Sequence, residues 1–211
     1  MSGLKAENLR FRFGDGPEIL RGVNLSVRPA EMVAILGENA SGKTTLLRIL
    51  GGLLSPADGV VTVDGVPLPQ ARERLGIVFQ NPDHQMIAAT VEEELAVGLE
   101  LRGVPQAAMQ IRVEELLRNF NLEMIRKSSP ENLSGGQKQR VALAAIMATR
   151  PKFLLFDEPD SLLDAPSRAE FISAVEVVRH DCGVIWTSPH PKRMPKADHS
   201  FELRDGVLAR F

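Results

Sequence analysis

The stretch EMVAILGENASGKTTLLRIL, residues 31–50, constrains the fold more than any other part of the chain. EMVAIL is a short apolar run bounded by glycine and reads as a buried strand, while TTLLRIL continues as a helix. Between them G-x-x-x-x-G-K-T falls on Gly37, Gly42, Lys43 and Thr44. Strand, glycine-rich loop and helix in that order form the context in which this motif cradles phosphate. Backbone N–H groups of Asn39, Ala40, Ser41, Gly42, Lys43, Thr44 and Thr45 wrap a β-phosphate, and the helix dipole adds positive potential. Lys43 neutralises the β- and γ-oxygens, and the Thr44 hydroxyl suits Mg²⁺. A plain glycine turn with a surface lysine is the competing reading. The flanking strand and helix speak against it.

The rest of the chain supplies neighbours for that unit. Residues 4–13 and 19–28 alternate apolar and polar about a GDGP turn and read as paired strands. GVVTVDGVPL at 59–68 carries β-branched alternation and a D-G turn, a second hairpin. LGIVF at 75–79, KFLLF at 152–156 and GVIWTS at 183–188 are further strands. A helix is expected near 166–180, and FELRDGVLARF closes the sequence as a hairpin. From Thr90 to Arg150 the pattern turns helical, opening on the Thr90–Glu93 capping-box spacing. Pro105 and Pro130 punctuate it. The expectation is one α/β domain over 1–211, with its core at 1–80 and 151–211 and a helical lobe at about 86–150.

FLLFDEP sets four apolar residues ahead of Asp157 and Glu158. A buried strand ending this way presents its carboxylates at the carboxyl edge of the sheet, where α/β folds bind ligands. Asp157 suits the Mg²⁺ shell, through a water, and Glu158 is the candidate base for an attacking water. Neighbours on a strand face opposite ways, so the two need not share one task. A solvated strand cap is the plainer alternative, opposed by Pro159 and by the phosphate loop upstream. No N-K-x-D occurs to read guanine, which argues against a GTPase.

LSGGQKQR at 133–140 is a second helix start suited to an anion. Ser134 and Gln137 have capping-box spacing, and the glycines between them let a ligand approach the backbone. Charge does not explain it: 25 Lys and Arg against 27 Asp and Glu leave a net charge of −2, no footprint for nucleic acid. The longest apolar runs, such as VALAAIMA at 141–148, are too short to span a bilayer, so work at a membrane goes through a partner. Cys182 stands alone, which excludes an intrachain disulfide and fits a reducing compartment. MSGLKAENLRF lacks the apolar region of a secretory signal.

Together these motifs resemble the ABC-type ATPases over essentially the whole chain. The family signature matches LSGGQ at 133–137, its Q-loop glutamine matches Gln80, and its D-loop matches SLLD at 161–164. The resemblance implies a P-loop NTPase (RecA-like) core with an antiparallel β subdomain and an inserted helical lobe. It implies ATP with Mg²⁺, held between two chains packed head to tail, alike or different. Each ATP then lies between the phosphate loop of one chain and the signature of the other. Ser134, Gly135, Gly136 and Gln137 serve the partner's γ-phosphate, which accounts for two anion-holding helix starts in one small chain. Glu38 within the loop, Gln80 and Asp164 join the nucleotide site, with Gln80 also reaching the metal.

Two positions match less closely. The family stacks adenine on an aromatic ahead of the first loop, and Phe13 holds that place. Phe11 lies two residues earlier on the same strand face, so either ring could be core. The switch histidine departs further. Relatives show T-H-D, then an A-D pair; here the sequence is VIWTSPHPKRMPKAD. Ungapped, the family histidine falls at Pro189 and His190 sits one position late, between two prolines that restrict the backbone. A local bulge would bring His190 to the γ-phosphate as a catalytic group. A displaced surface histidine is the other reading.

FQNPDHQMIAATVEEELAVGL, 79–99, resembles the ATPases of energy-coupling-factor importers, which take up cobalt, nickel or vitamins. There this segment grips transmembrane subunits, which places the protein in the cytoplasm, peripheral on the inner face of the cell membrane. Met86 and Ile87 suit such a socket, or else seed the lobe's own core. Those importer ATPases often carry a further C-terminal segment, where this sequence stops at Phe211. The alternatives are another ABC transporter type or a soluble ABC ATPase. The soluble kind usually has a coiled-coil insertion or two fused nucleotide domains, too large for 211 residues. A dead binding module would lack Lys43 or Glu158.

Overall fold

A computed structural model of the chain describes residues 3–211. The alternating N-terminal segments become β1 (Leu4–Phe11) and β2 (Leu20–Val27), paired antiparallel, with Leu4, Ala6, Leu9 and Phe11 turned inward. Apolar and polar residues alternate because such a sheet buries one face and wets the other. The run after Gly22 leads on to β3 (Met32–Leu36), which the phosphate loop joins to α1 (Lys43–Leu50). Strands β4 (Asp58–Val63) and β5 (Val66–Pro67) follow, joined at Asp64 and Gly65 with φ of 54° and 78°. Positive φ at both turn residues is what a tight hairpin needs, and D-G supplies it. These strands make a four-stranded sheet in the order β2-β1-β4-β5.

The second sheet builds the site. It adds β6 (Leu75–Val78), β7 (Phe153–Asp157), β8 (Gly183–Ser188), β9 (His199–Arg204) and β10 (Val207–Arg210), in the order β10-β9-β3-β8-β7-β6. Strands β3, β7 and β8 are buried at every position, which is why they read as unbroken apolar runs. All three are parallel, with β8 between the others, so their carboxyl ends share one edge. In register, Thr187 lies opposite both Ile35 and Asp157. The closing hairpin adds β9 to this sheet parallel to β3, and the Asp198 carboxylate accepts a hydrogen bond from Met32 N at 2.8 Å.

The chain divides into two compact units. One takes the residues up to Ile77 with Lys152–Glu158 and Val178–Phe211; the other takes Val78–Pro151 and Pro159–Val177. The second is helical: α2 (Val91–Glu100), α3 (Gln106–Asn119), α4 (Gly135–Ala148) and α5 (Ala165–Val178). Val91, Leu95 and Leu99 form one buried stripe on α2, and Val113, Leu116 and Leu117 another on α3. Each such side chain stabilises the unit by about 1.5–3 kcal/mol. The Thr90–Glu93 capping box forms, with Thr90 N donating to Glu93 Oε2 at 3.0 Å. Among the described residues no helix is long and apolar enough to cross a membrane.

Candidate functional site

At the carboxyl edge of β3 the chain turns through the glycine-rich loop. Gly42 opens α1 with φ 101°, a conformation that suits glycine, and has no side chain to cap the helix. The first intrahelical bond runs from Leu46 N to Gly42 O, so the N–H groups of Lys43, Thr44 and Thr45 point out of the helix end, while Ser41 N donates to Glu38 O at 3.2 Å. A Cβ on Gly37 would come within 2.6 Å of Ser41 Oγ, so the loop closes tightly there. Ser41 Oγ is buried and has no hydrogen-bond partner among the described residues. Glu38, Asn39 and Ala40 are exposed, while Gly37, Ser41, Gly42, Thr44 and Thr45 are half-buried.

Lys43 is 3% exposed and its ammonium is fully engaged. It donates to Gly37 O at 2.9 Å and Glu38 O at 2.8 Å, and pairs with Glu158 Oε1 at 3.1 Å. Thr44 Oγ1 donates to Asp157 Oδ1 at 2.9 Å. The structure therefore brings Lys43, Thr44, Asp157 and Glu158 into one bonded cluster. Burial holds the Asp157 carboxyl above the ordinary carboxylate range; the Glu158 charge pushes the same way, against hydrogen bonds from Thr44 and Thr187. A carboxylate so placed is suited to a cation. With the Thr44 hydroxyl it offers the hard oxygen donors that Mg²⁺ prefers. Among the described residues no three His, Cys, Asp or Glu side chains cluster as a metal site. Mg²⁺ on a nucleotide needs only one or two protein carboxylates, because phosphates supply other ligands.

Thr187 is the residue that reading the sequence missed. Fully buried, its hydroxyl accepts from Glu158 N at 3.1 Å and faces Phe156 O at 3.1 Å and Asp157 Oδ1 at 3.3 Å as a donor. It holds the backbone where Glu158 turns back toward Lys43 with φ 45°, a left-handed value rare outside glycine. Phe13 and His190 lie outside this bonded cluster. Phe13 is 54% exposed and meets Phe11, itself 8% exposed, in a T-shaped pair with ring centroids 4.8 Å apart. His190 is exposed just past β8, its N–H bound to Ser188 Oγ at 3.0 Å and its carbonyl accepting from the same hydroxyl at 3.1 Å.

The helical unit carries the other predicted residues. At the start of α4, Gln137 N donates to Ser134 Oγ at 3.3 Å and Ser134 N to Gln137 Oε1 at 2.9 Å, a reciprocal cap. Ser134 and Gly135 are exposed, and Gly136 is buried, so close to Ser167 that a Cβ there would lie 2.6 Å from Ser167 Cβ. Asp164 is exposed and accepts from Ser167 N at 3.0 Å; hydrogen bonding to Ser167 holds its carboxyl below the usual range. Gln80 is exposed and donates to Ser161 Oγ at 3.1 Å. Ile87 is 77% exposed, with its N–H and that of Ala88 both donating to the buried Glu94 Oε2 at 2.8 Å.

Known proteins resemble this chain over most of its length. A family model described as ABC transporter matches residues 20–161. The chain is 37% identical over 207 residues to energy-coupling factor transporter ATP-binding protein EcfA1 of Oceanobacillus iheyensis, covering 94% of this chain and 74% of that protein. It is 42% identical over 217 residues to the protein of that name from Symbiobacterium thermophilum, covering 95% and 76%. A solved structure of cbiO1 from Clostridium perfringens, described as part of the ABC transporter complex cbiONQ, superposes with a TM-score of 0.87 at 30% identity, covering 97% of this chain and 86% of that one. The sequence resemblance is borne out, and the chain belongs to the ABC transporter family.

Proposed function

We propose that this chain is the ATP-hydrolysing subunit of an importer, one of two nucleotide-binding chains packed head to tail against transmembrane subunits. The observation that carries the reading is the bonded cluster of Lys43, Thr44, Asp157 and Glu158 beside the open end of α1. Lys43 holds the β- and γ-phosphate oxygens, and the loop N–H groups from Asn39 to Thr45 surround the β-phosphate. A phosphate oxygen against the ammonium competes with Glu158 for it. Glu158, so released, takes the proton of the attacking water on a carboxylate oxygen. Thr44 and Asp157 would hold Mg²⁺, with Gln80 reaching it as the resemblance implies, and the ion would supply positive charge to the phosphates.

The remaining roles follow the family resemblance. Phe13, exposed ahead of the loop, is the platform for adenine. Ser134, Gly135, Gly136 and Gln137 hold the γ-phosphate bound to the partner chain. Gln80 and Asp164 complete the nucleotide set, and His190 is the γ-phosphate contact past β8. The energy-coupling factor names of the similar proteins support a transporter of that kind; the family resemblance then implies a metal ion or vitamin as cargo and a place on the inner face of the cell membrane. The chain then acts as one ABC ATPase domain over 1–211.

Mg²⁺-dependent ATP hydrolysis by the full chain tests the reading. Glu158→Gln keeps shape and hydrogen bonding but removes basicity, so turnover falls about 10²–10⁴-fold while ATP binding survives. Equal loss of binding and turnover removes Glu158 from the role. His190→Ala lowers turnover about tenfold at unchanged ATP affinity, the size of one lost hydrogen bond to a charged group. An unchanged rate excludes His190.

A further inference from the structure

We infer that Gln139 is a positioning residue that ties the segment after β6 to α4, so that Gln80 and the LSGGQ helix start move as one body. Gln139 sits in the second turn of α4 and is 1% exposed. Its Nε2 donates to Phe79 O and to Gln80 O, each at 3.1 Å. Two amide protons meet two carbonyls, so the donor side is used up. The Oε1 atom is buried without a hydrogen-bond partner among the described residues. Turning the amide over would set that oxygen against two carbonyl oxygens, so the orientation has no alternative. A side chain kept only to fill space would carry no buried polar atom that goes unmatched.

Neighbouring contacts make the tie a frame rather than a single bond. Lys138 Nζ pairs with Asp83 Oδ1 at 2.7 Å, one residue along α4. Within the segment, Phe79 N donates to Gln85 Oε1 and Asp83 N to Asn81 Oδ1, both at 3.0 Å. Gln80 Nε2 then reaches Ser161 Oγ, and Gly136 packs on Ser167, so the path returns to the start of α4 through Pro159–Val177. Such a closed chain of packed and bonded groups is the kind that carries a displacement from one end to the other. A shift of Gln80 is thereby passed to Ser134 and Gly135. What this means for turnover rests on the ATPase reading; the tie itself does not.

The test uses the full chain with Gln139→Met and Gln139→Glu. Methionine keeps the length and burial but has no donor, and glutamate sets an acceptor against two carbonyls. In Gln139→Met, amide hydrogen exchange across residues 79–85 rises about tenfold, kcat falls about tenfold, and KM for ATP stays within about twofold. Gln139→Glu goes further in the same direction where it folds; where it does not, Gln139→Met carries the test. Unchanged exchange at 79–85 in Gln139→Met overturns the tie. A fall in kcat matched by a lower thermal midpoint and weaker ATP affinity overturns the positioning role in favour of simple packing. Wild-type chain that hydrolyses no ATP sinks the ATPase reading instead, and the exchange measurement still decides the tie.

Discussion

The two helix starts differ in who satisfies them. At α1 the cap is Gly42, with no side chain to offer, and the nearby charge is a buried ammonium. At α4 the cap is Ser134, closed by Gln137 in a reciprocal pair. The first end leaves its N–H groups to be met from outside, which suits a site that keeps its ligand. The second is self-sufficient, yet its Gln137 N to Ser134 Oγ contact is 3.3 Å, long for such a bond. In the proposed reading an anion brought by a second chain competes with this internal partner. In that reading one helix start binds nucleotide in its own chain and the other serves a second chain.

Lys43→Ala strikes the binding end and has the largest expected effect. Losing charged hydrogen bonds worth about 1.5–3 kcal/mol lowers ATP affinity about 10–10²-fold by titration of the isolated chain. Affinity within twofold of wild type would mean that α1 is no more a binding end than α4. Thr187→Val comes next, because it strips the acceptor from Glu158 N and a donor facing Asp157. Stability drops by about 1–3 kcal/mol in denaturant unfolding, with turnover falling further than ATP affinity. A variant as active as wild type shows that the edge of β8 does not hold the catalytic side. Ser134→Ala is the smallest. Removing the cap costs about 1 kcal/mol of stability and leaves ATP affinity of the isolated chain unchanged. A loss of affinity there contradicts a start that acts only on another chain.

What the sequence made legible was local. The loop and α1 could be read because strand, glycines, Lys43 and Thr44 are contiguous, and Asp157 and Glu158 because four apolar residues lead into them. Both capping boxes were visible for the same reason, a spacing of three residues. Thr187 was not, since its role depends on the β7–β8 register, thirty positions away from Asp157 in the chain. Gln139 reads as an ordinary polar helix residue until Phe79 and Gln80, about sixty positions back, are seen against it. Glu94 likewise looks like an acid in the first turn of α2, favourable to the dipole; its buried carboxylate instead gathers the Ile87 and Ala88 N–H groups. Long-range pairing of neutral, common residue types such as Thr187 and Gln139 leaves no periodic trace.

The left-handed backbone at Glu158 has a consequence for anyone who would improve this chain. With φ 45° the position favours glycine, asparagine or aspartate on conformational grounds. Glutamate there holds strain of about 1 kcal/mol or more. A substitution that relaxed the backbone there would remove the proposed base and take the counter-ion from the buried Lys43 ammonium. Backbone ease and the proposed chemistry therefore make opposite demands on this residue.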